Sequence, residues 1–156
     1  MLTCTRRIQF CAGHRVRGHE NKCAHLHGHN YVVFLTACLG EPATDQTDGI
    51  GRVVDFSVLK KRIGGWIDEK WDHGFIYSAY DVETSKALAA FDGFMGSDDE
   101  KWPGTKLYEL PYNPTAENLA NYLLHKVGPA RLDGTGVTLS KVVVWETENC
   151  YAEASL

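Results

Sequence analysis

The sequence predicts an α+β protein built on an antiparallel sheet. Three observations carry that reading. Runs rich in β-branched and aromatic residues stand near both ends of the chain. Two helical periodicities stand between them. The resulting order, β-β-α-(insert)-α-β-β, lacks the strand–helix alternation of a parallel sheet. At 156 residues the chain is the size of one domain with one core, spanning 1–156.

The elements follow in order. Residues 2–12 read as a first strand, and "NYVVFLTACL" (30–39) as a second. Gly40, Pro42 and "TDQTDGIG" make a loop. A helix follows Asp55, where Phe56, Leu59, Ile63, Trp66, Ile67 and Trp71 recur at helical spacing. Gly64 and Gly65 stand against that pattern, because glycine costs about 1 kcal/mol in a helix. An insert runs from about 78 to 113 with Gly93, Gly96, "SDDE", Trp102, Pro103, Gly104 and Pro111. It admits a short helix at about 83–91 and otherwise reads as a long loop. Thr115 is placed to cap a second helix with the stripe Ala116, Leu119, Ala120, Leu123, Leu124 and Val127, which Gly128 and Pro129 would end. "TLSKVVVWET" (138–147) and "NCYAEASL" (149–156) form a hairpin turning near Asn149.

A net charge of −4 argues against generic nucleic-acid binding. No apolar run reaches the roughly 18 residues of a membrane span, and "MLTCTRRIQF" lacks the apolar core of a secretory signal. A cytoplasmic protein with no membrane partner is expected. Residues 1–39 hold Arg6, Arg7, Arg15, Arg17 and Lys22 against Glu20 alone, a stretch that suits an anionic small molecule or simply a solvated surface. Five cysteines without a CxxC pair do not make a disulfide framework. Cys4, Cys11, Cys38 and Cys150 lie in strand-like stretches and are expected as small core hydrophobes.

Five of the seven histidines fall between 14 and 29. Side chains alternate along a strand, so His27 and His29 share a face. His25 would extend them into a straight row about 13 Å long. A tetrahedral ion with Zn–N bonds of about 2.0–2.1 Å does not span that row. Two ligands from one strand and one from its neighbour fit, and His14 at the end of the first strand is the natural third. Cys23 is either a further ligand closing a structural site or an unbound thiolate serving as base or nucleophile; spacing does not separate the two. Asp72 and His73 follow the first helix, and in a loop such neighbours can face each other, the carboxylate orienting the imidazole. A surface dipeptide is the plainer reading. Glu146 shares a strand face with Val142 and Val144, a costly place for a carboxylate unless a guanidine-like donor pair meets it or its end reaches solvent. Glu148 is expected to reach solvent. His19, in a polar loop, and His125, late in the second helix, attract no role.

These pieces, "FCAGHR" (10–15), "CAHLHGHNY" (23–31), "GRVVDFSVLK" (51–60), "WDHGFI" (71–76), "NPTAENLANYL" (113–123) and "VVVWETENCYA" (143–152), carry a resemblance to a known family. The chain resembles the 6-pyruvoyl-tetrahydropterin synthase and 6-carboxy-tetrahydropterin synthase family. The resemblance implies a tunnelling fold, a four-stranded antiparallel sheet backed by two helices. It also implies a homo-oligomer, trimer or hexamer, whose sheets close into a barrel with active sites between subunits. It implies Zn2+ held by His14, His27 and His29, with Cys23 as the catalytic thiolate rather than a ligand. Asp72 and His73 would complete the proton-transfer set. Glu146 would grip the 2-amino and ring N–H groups of a pterin, with Thr115 and Glu117 near its pocket. The substrate implied is 7,8-dihydroneopterin triphosphate.

Three residues, "AHL", separate Cys23 from His27. That short gap resembles the 6-carboxy branch, which serves 7-deazaguanine (queuosine) synthesis and releases acetaldehyde as well as triphosphate. The pyruvoyl-forming enzymes have a longer gap, and 6-pyruvoyl formation is the runner-up. From another class comes a catalytically silent zinc- and pterin-binding homologue, against which the joint presence of Cys23, Asp72, His73 and Glu146 argues. The insert at 78–113 is longer than in compact members, and His25 is not something the family requires.

Overall fold

Alternation along two long strands sets the architecture. On β1 (Thr3–His14) the even residues Phe10, Ala12 and His14 are buried, and on β2 (His27–Leu39) the odd residues Tyr31, Val33 and Leu35 are wholly buried. The two pair antiparallel from Thr3↔Cys38 to His14↔His27. The structure, a computed structural model, describes residues 2–39, 47–95 and 104–156. The expected loop at Gly40 and Pro42, and Gly96, "SDDE", Trp102 and Pro103 of the insert, lie outside these residues.

Two interrupted helices cover the buried face. The first begins at Asp55, whose carboxylate accepts the Ser57 N–H at 2.7 Å. It runs through α1 (Phe56–Leu59), a π-helical turn (Lys60–Gly64) and α2 (Gly65–Lys70). Gly64 answers to a close approach, because a Cβ there would stand 2.9 Å from Ile8 Cδ1 on β1. Next come β3 (Gly74–Ser78), α3 (Val82–Met95) and β4 (Leu107–Leu110). The second helix begins at Thr115, whose hydroxyl accepts the Asn118 N–H at 3.3 Å. It runs through α4 (Ala116–Tyr122), a π-helical turn (Leu123–Val127) and α5 (Gly128–Leu132). Gly128 and Pro129 therefore do not end it. After the π turn a fresh α-helical turn starts at Gly128, and proline in a first turn forfeits no hydrogen bond. The hairpin of β5 (Val137–Thr147) and β6 (Cys150–Ser155) closes the chain.

The four-stranded antiparallel sheet is corrected to six strands in the order β4-β3-β1-β2-β5-β6. The two additional strands run parallel: β3 joins β1 over Ala12–His14, and β4 joins β3. Inside the insert, the helix admitted at about 83–91 is present as the longer α3, and β4 stands where a loop is expected. Leu59, Ile63, Ile67 and Trp71 from the first helix and Leu119 and Leu123 from the second pack on Val33, Leu35, Val142 and Val144, all wholly buried. Each such side chain contributes about 1.5–3 kcal/mol of burial. Cys38 is buried and Cys4 packs against this core as expected, but Cys11 is half-buried and Cys150 is exposed at the hairpin turn. Among the described residues, β1 from Thr3 to Cys11 has a strand on one side only, and so has β6. No helix among them is long and apolar enough to cross a membrane.

Candidate metal centre and its cavity

The register of β1 against β2 assembles the histidines. His14 stands directly across from His27, and His29 faces Ala12, one diagonal step away on the same face. Gly28 lets the strands close up, because a Cβ there would lie 2.8 Å from the Ala12 carbonyl oxygen. His14 Nδ1–H donates to the Pro114 carbonyl at 2.7 Å, and His27 Nδ1–H donates to the His25 carbonyl at 2.7 Å. Carbonyls only accept, so both rings carry their proton on Nδ1 and turn bare Nε2 lone pairs towards each other, 3.1 Å apart. Two lone pairs at that distance repel unless a cation lies between them. Ligand nitrogens on tetrahedral zinc are about 3.4 Å apart. One donor atom from each of His14, His27 and His29 falls within 4.8 Å of the others. The donor set and its tautomers thus fit a zinc-like ion, with carbonyls fixing the ligands from behind.

Burial lowers the His14 pKa to about 4, with His27 and His29 adding to the shift against the Pro114 carbonyl. Burial and His27 also lower His29. Both shifts favour the neutral, ligating form of the ring. The His25 ring is exposed and outside the trio, which uses only its backbone carbonyl.

A cavity of about 340 Å³ beside the trio gathers His14, Cys23, Thr115, Glu117 and Glu146, five residues singled out from the sequence. Glu146 Oε1 lies 4.0 Å from His14 Nε2. Burial, then the nearby Glu117 carboxylate, raise its pKa against the opposing pull of His27. Cys23 sits in a 3-10 turn (Lys22–Ala24), its carbonyl accepting the Val16 N–H at 2.8 Å, and its sulfur is not among the converging donor atoms. His19 and Cys150 border the same cavity. Sequence reasoning passed over both, because nothing in a loop or turn dipeptide reports which cavity it borders.

Asp72 and His73 do face each other. His73 Nδ1 donates to Asp72 Oδ2 at 2.7 Å, made feasible by a left-handed His73 backbone with φ of 56°. β1 clamps the pair: the Cys11 N–H donates to Asp72 Oδ1 at 2.9 Å, and the His73 N–H donates to the Cys11 carbonyl at 2.7 Å. Cys11 Sγ lies 3.6 Å from His73 Nε2. Burial pushes the Asp72 pKa up, but the Cys11 N–H and His73 outweigh it and hold it below the usual range. Of this pair, His73 opens on another cavity, of about 540 Å³, bordered also by Cys11, His27, His29 and Phe75. Within one chain, then, His73, with Asp72 behind it, borders a different cavity from Cys23. Part of the basic N-terminal stretch is spent on structure. Arg15 Nε meets the wholly buried Asp81 at 2.7 Å and Arg17 Nε meets Glu83 at 3.5 Å, both at the start of α3.

By class, this is an α+β domain with three converging histidines at one end of its sheet. Residues 3–155 match the 6-pyruvoyl tetrahydropterin synthase family, and the chain belongs to it. It is similar to the 6-carboxy-5,6,7,8-tetrahydropterin synthase of Rickettsia bellii (strain RML369-C), at 40% identity over 98% of this chain and 99% of the relative. It is also similar to that of Aquifex aeolicus (strain VF5), at 34% identity over 94% and 93%. These similarities make it a synthase-like lyase of that family. Among solved structures, that of an uncharacterized protein from Wolinella succinogenes superposes with a TM-score of 0.77 at 24% identity, covering 99% of this chain and 97% of that one. The Caenorhabditis elegans 6-pyruvoyl tetrahydropterin synthase does so at 0.60 and 24%, covering 99% and 95%. Both share the fold.

Proposed function

We propose that this protein converts 7,8-dihydroneopterin triphosphate to 6-carboxy-5,6,7,8-tetrahydropterin, with loss of triphosphate and acetaldehyde, in a 7-deazaguanine (queuosine) type of biosynthesis in the cytoplasm. The observation that carries the reading is the convergence of bare His14 and His27 Nε2 atoms beside a cavity that also holds Cys23 and Glu146. The relatives named 6-carboxy-5,6,7,8-tetrahydropterin synthase support the choice of branch.

His14, His27 and His29 hold the zinc, which when bound supplies Lewis acidity to the hydroxyls of the substrate side chain. Glu146 accepts the 2-amino and ring N–H of the pterin as a bidentate pair and so sets its orientation. Thr115 and Glu117 complete that end of the cavity. Cys23 is the thiolate base that takes a side-chain proton. Asp72 and His73 move that proton onward from a neighbouring copy, which is why one chain leaves them apart from Cys23. The single-partnered edges of β1 and β6 are where copies join into a closed trimeric barrel, two of which stack as a hexamer.

The test is Cys23→Ala. Turnover is abolished while one zinc per chain remains, by metal analysis. Loss of the zinc together with turnover makes Cys23 a ligand and overturns the assignment.

A further inference from the structure

His19 stands out once the loop after β1 is followed hydrogen bond by hydrogen bond. The loop is clamped at both ends: Val16 N–H donates to the Cys23 carbonyl at 2.8 Å, and His19 N–H donates to the Val16 carbonyl at 3.2 Å. Asn113, just before the second helix, holds it from the far side. Its Oδ1 accepts the Arg17 N–H at 3.1 Å and its Nδ2 donates to the Arg17 carbonyl at 2.9 Å. His19 is therefore fixed against the cavity that contains Cys23, Thr115, Glu117 and Glu146.

Its ring orientation is also fixed, and oppositely to the metal ligands. The Asn21 backbone N–H donates to His19 Nδ1 at 2.9 Å. A backbone N–H only donates, so Nδ1 is the lone-pair atom and the ring proton sits on Nε2. The Glu20 carboxylate is 4.0 Å from Nδ1, too far to displace that bond. His14, the other imidazole lining this cavity, has its N–H committed to Pro114. Nε2–H of His19 has no hydrogen-bond partner among the described residues, and the residue borders the cavity.

We propose that His19 is a further catalytic residue: its Nε2–H donates a hydrogen bond to the substrate side-chain oxygen on which negative charge develops when Cys23 takes a proton. The proposal rests on the reaction assigned above. The proton goes to the Cys23 sulfur, the electron pair goes to the oxygen, and His19 keeps its own proton throughout, acting as a fixed dipole aimed at the charge.

Three measurements on the zinc-loaded protein test it. His19→Ala lowers kcat about a hundredfold, the loss typical of removing one such donor, with KM and zinc content unchanged. His19→Gln, whose amide N–H can donate, recovers most of that loss. A His19→Ala enzyme with the wild-type kcat, or a His19→Gln enzyme as impaired as His19→Ala, overturns the proposal. Nitrogen-15 NMR of the imidazoles, which needs no turnover, shows the His19 proton on Nε2 and a shift of that nitrogen on adding neopterin. A proton on Nδ1, or no response to neopterin, overturns it independently. Absence of product from the wild-type enzyme instead overturns the assigned reaction.

Discussion

His14 is the residue at which burial, charge and the converging imidazoles meet. It is 1% exposed and its folded pKa is about 4, well below the ordinary 6.5. A histidine depressed in the folded state binds fewer protons there than in the unfolded chain. Its contribution to stability is therefore complete above about pH 6.5 and is lost as pH falls towards 4. Thermal or denaturant unfolding of the metal-free protein should show a loss of up to about 3 kcal/mol across that range, and His14→Phe should remove most of that slope. Glu146 is the complementary case, a half-buried carboxylate whose contact with His14 is a long one. In the proposed pterin-binding role, Glu146→Gln replaces a bidentate acceptor with a mismatched amide. It should raise KM roughly 10- to 150-fold, the equivalent of about 1.5–3 kcal/mol, with zinc content unchanged. Which histidines converge was legible because strand alternation and reach decide it: His25 is excluded by the length of the row, and His14 enters from the neighbouring strand. The setting of Cys11, His19 and Cys150 was not legible, because it depends on how loops and turns close rather than on a periodic pattern.

At the scale of elements, the site depends on the β1–β2 register, and Gly28 is where that register is most easily disturbed. Gly28→Ala would drive a methyl into the Ala12 carbonyl, 2.8 Å away. It should cost about 1–3 kcal/mol of stability and weaken zinc binding, read by denaturation and metal titration; an unchanged metal affinity would show that the strands have slack there. The four long strands and both helices were readable, since each displays several turns of its own period. β3 and β4, with five and four residues, do not. Their pairing is parallel and non-local, reaching β1 only over Ala12–His14. The helices also ran on past glycines and a proline that ordinarily mark ends, because π-helical turns reset the hydrogen-bond pattern within them.

At the scale of the molecule, one chain carries two separate clusters: the histidine trio beside Cys23 and Glu146, and the Asp72–His73 pair clamped to Cys11. If neighbouring copies share them, two inactive variants should rescue each other. Cys23→Ala mixed equally with His73→Ala, after dissociation and reassembly, should regain about a quarter of wild-type activity, the share of sites at which both halves are intact. No regain would place all the chemistry within one chain. The claim on which the rest depends is the reaction itself. Zinc-loaded protein is incubated with 7,8-dihydroneopterin triphosphate and the pterin product is read by mass. The account predicts 6-carboxy-5,6,7,8-tetrahydropterin with acetaldehyde; a 6-pyruvoyl product, or none with the zinc in place, would contradict it.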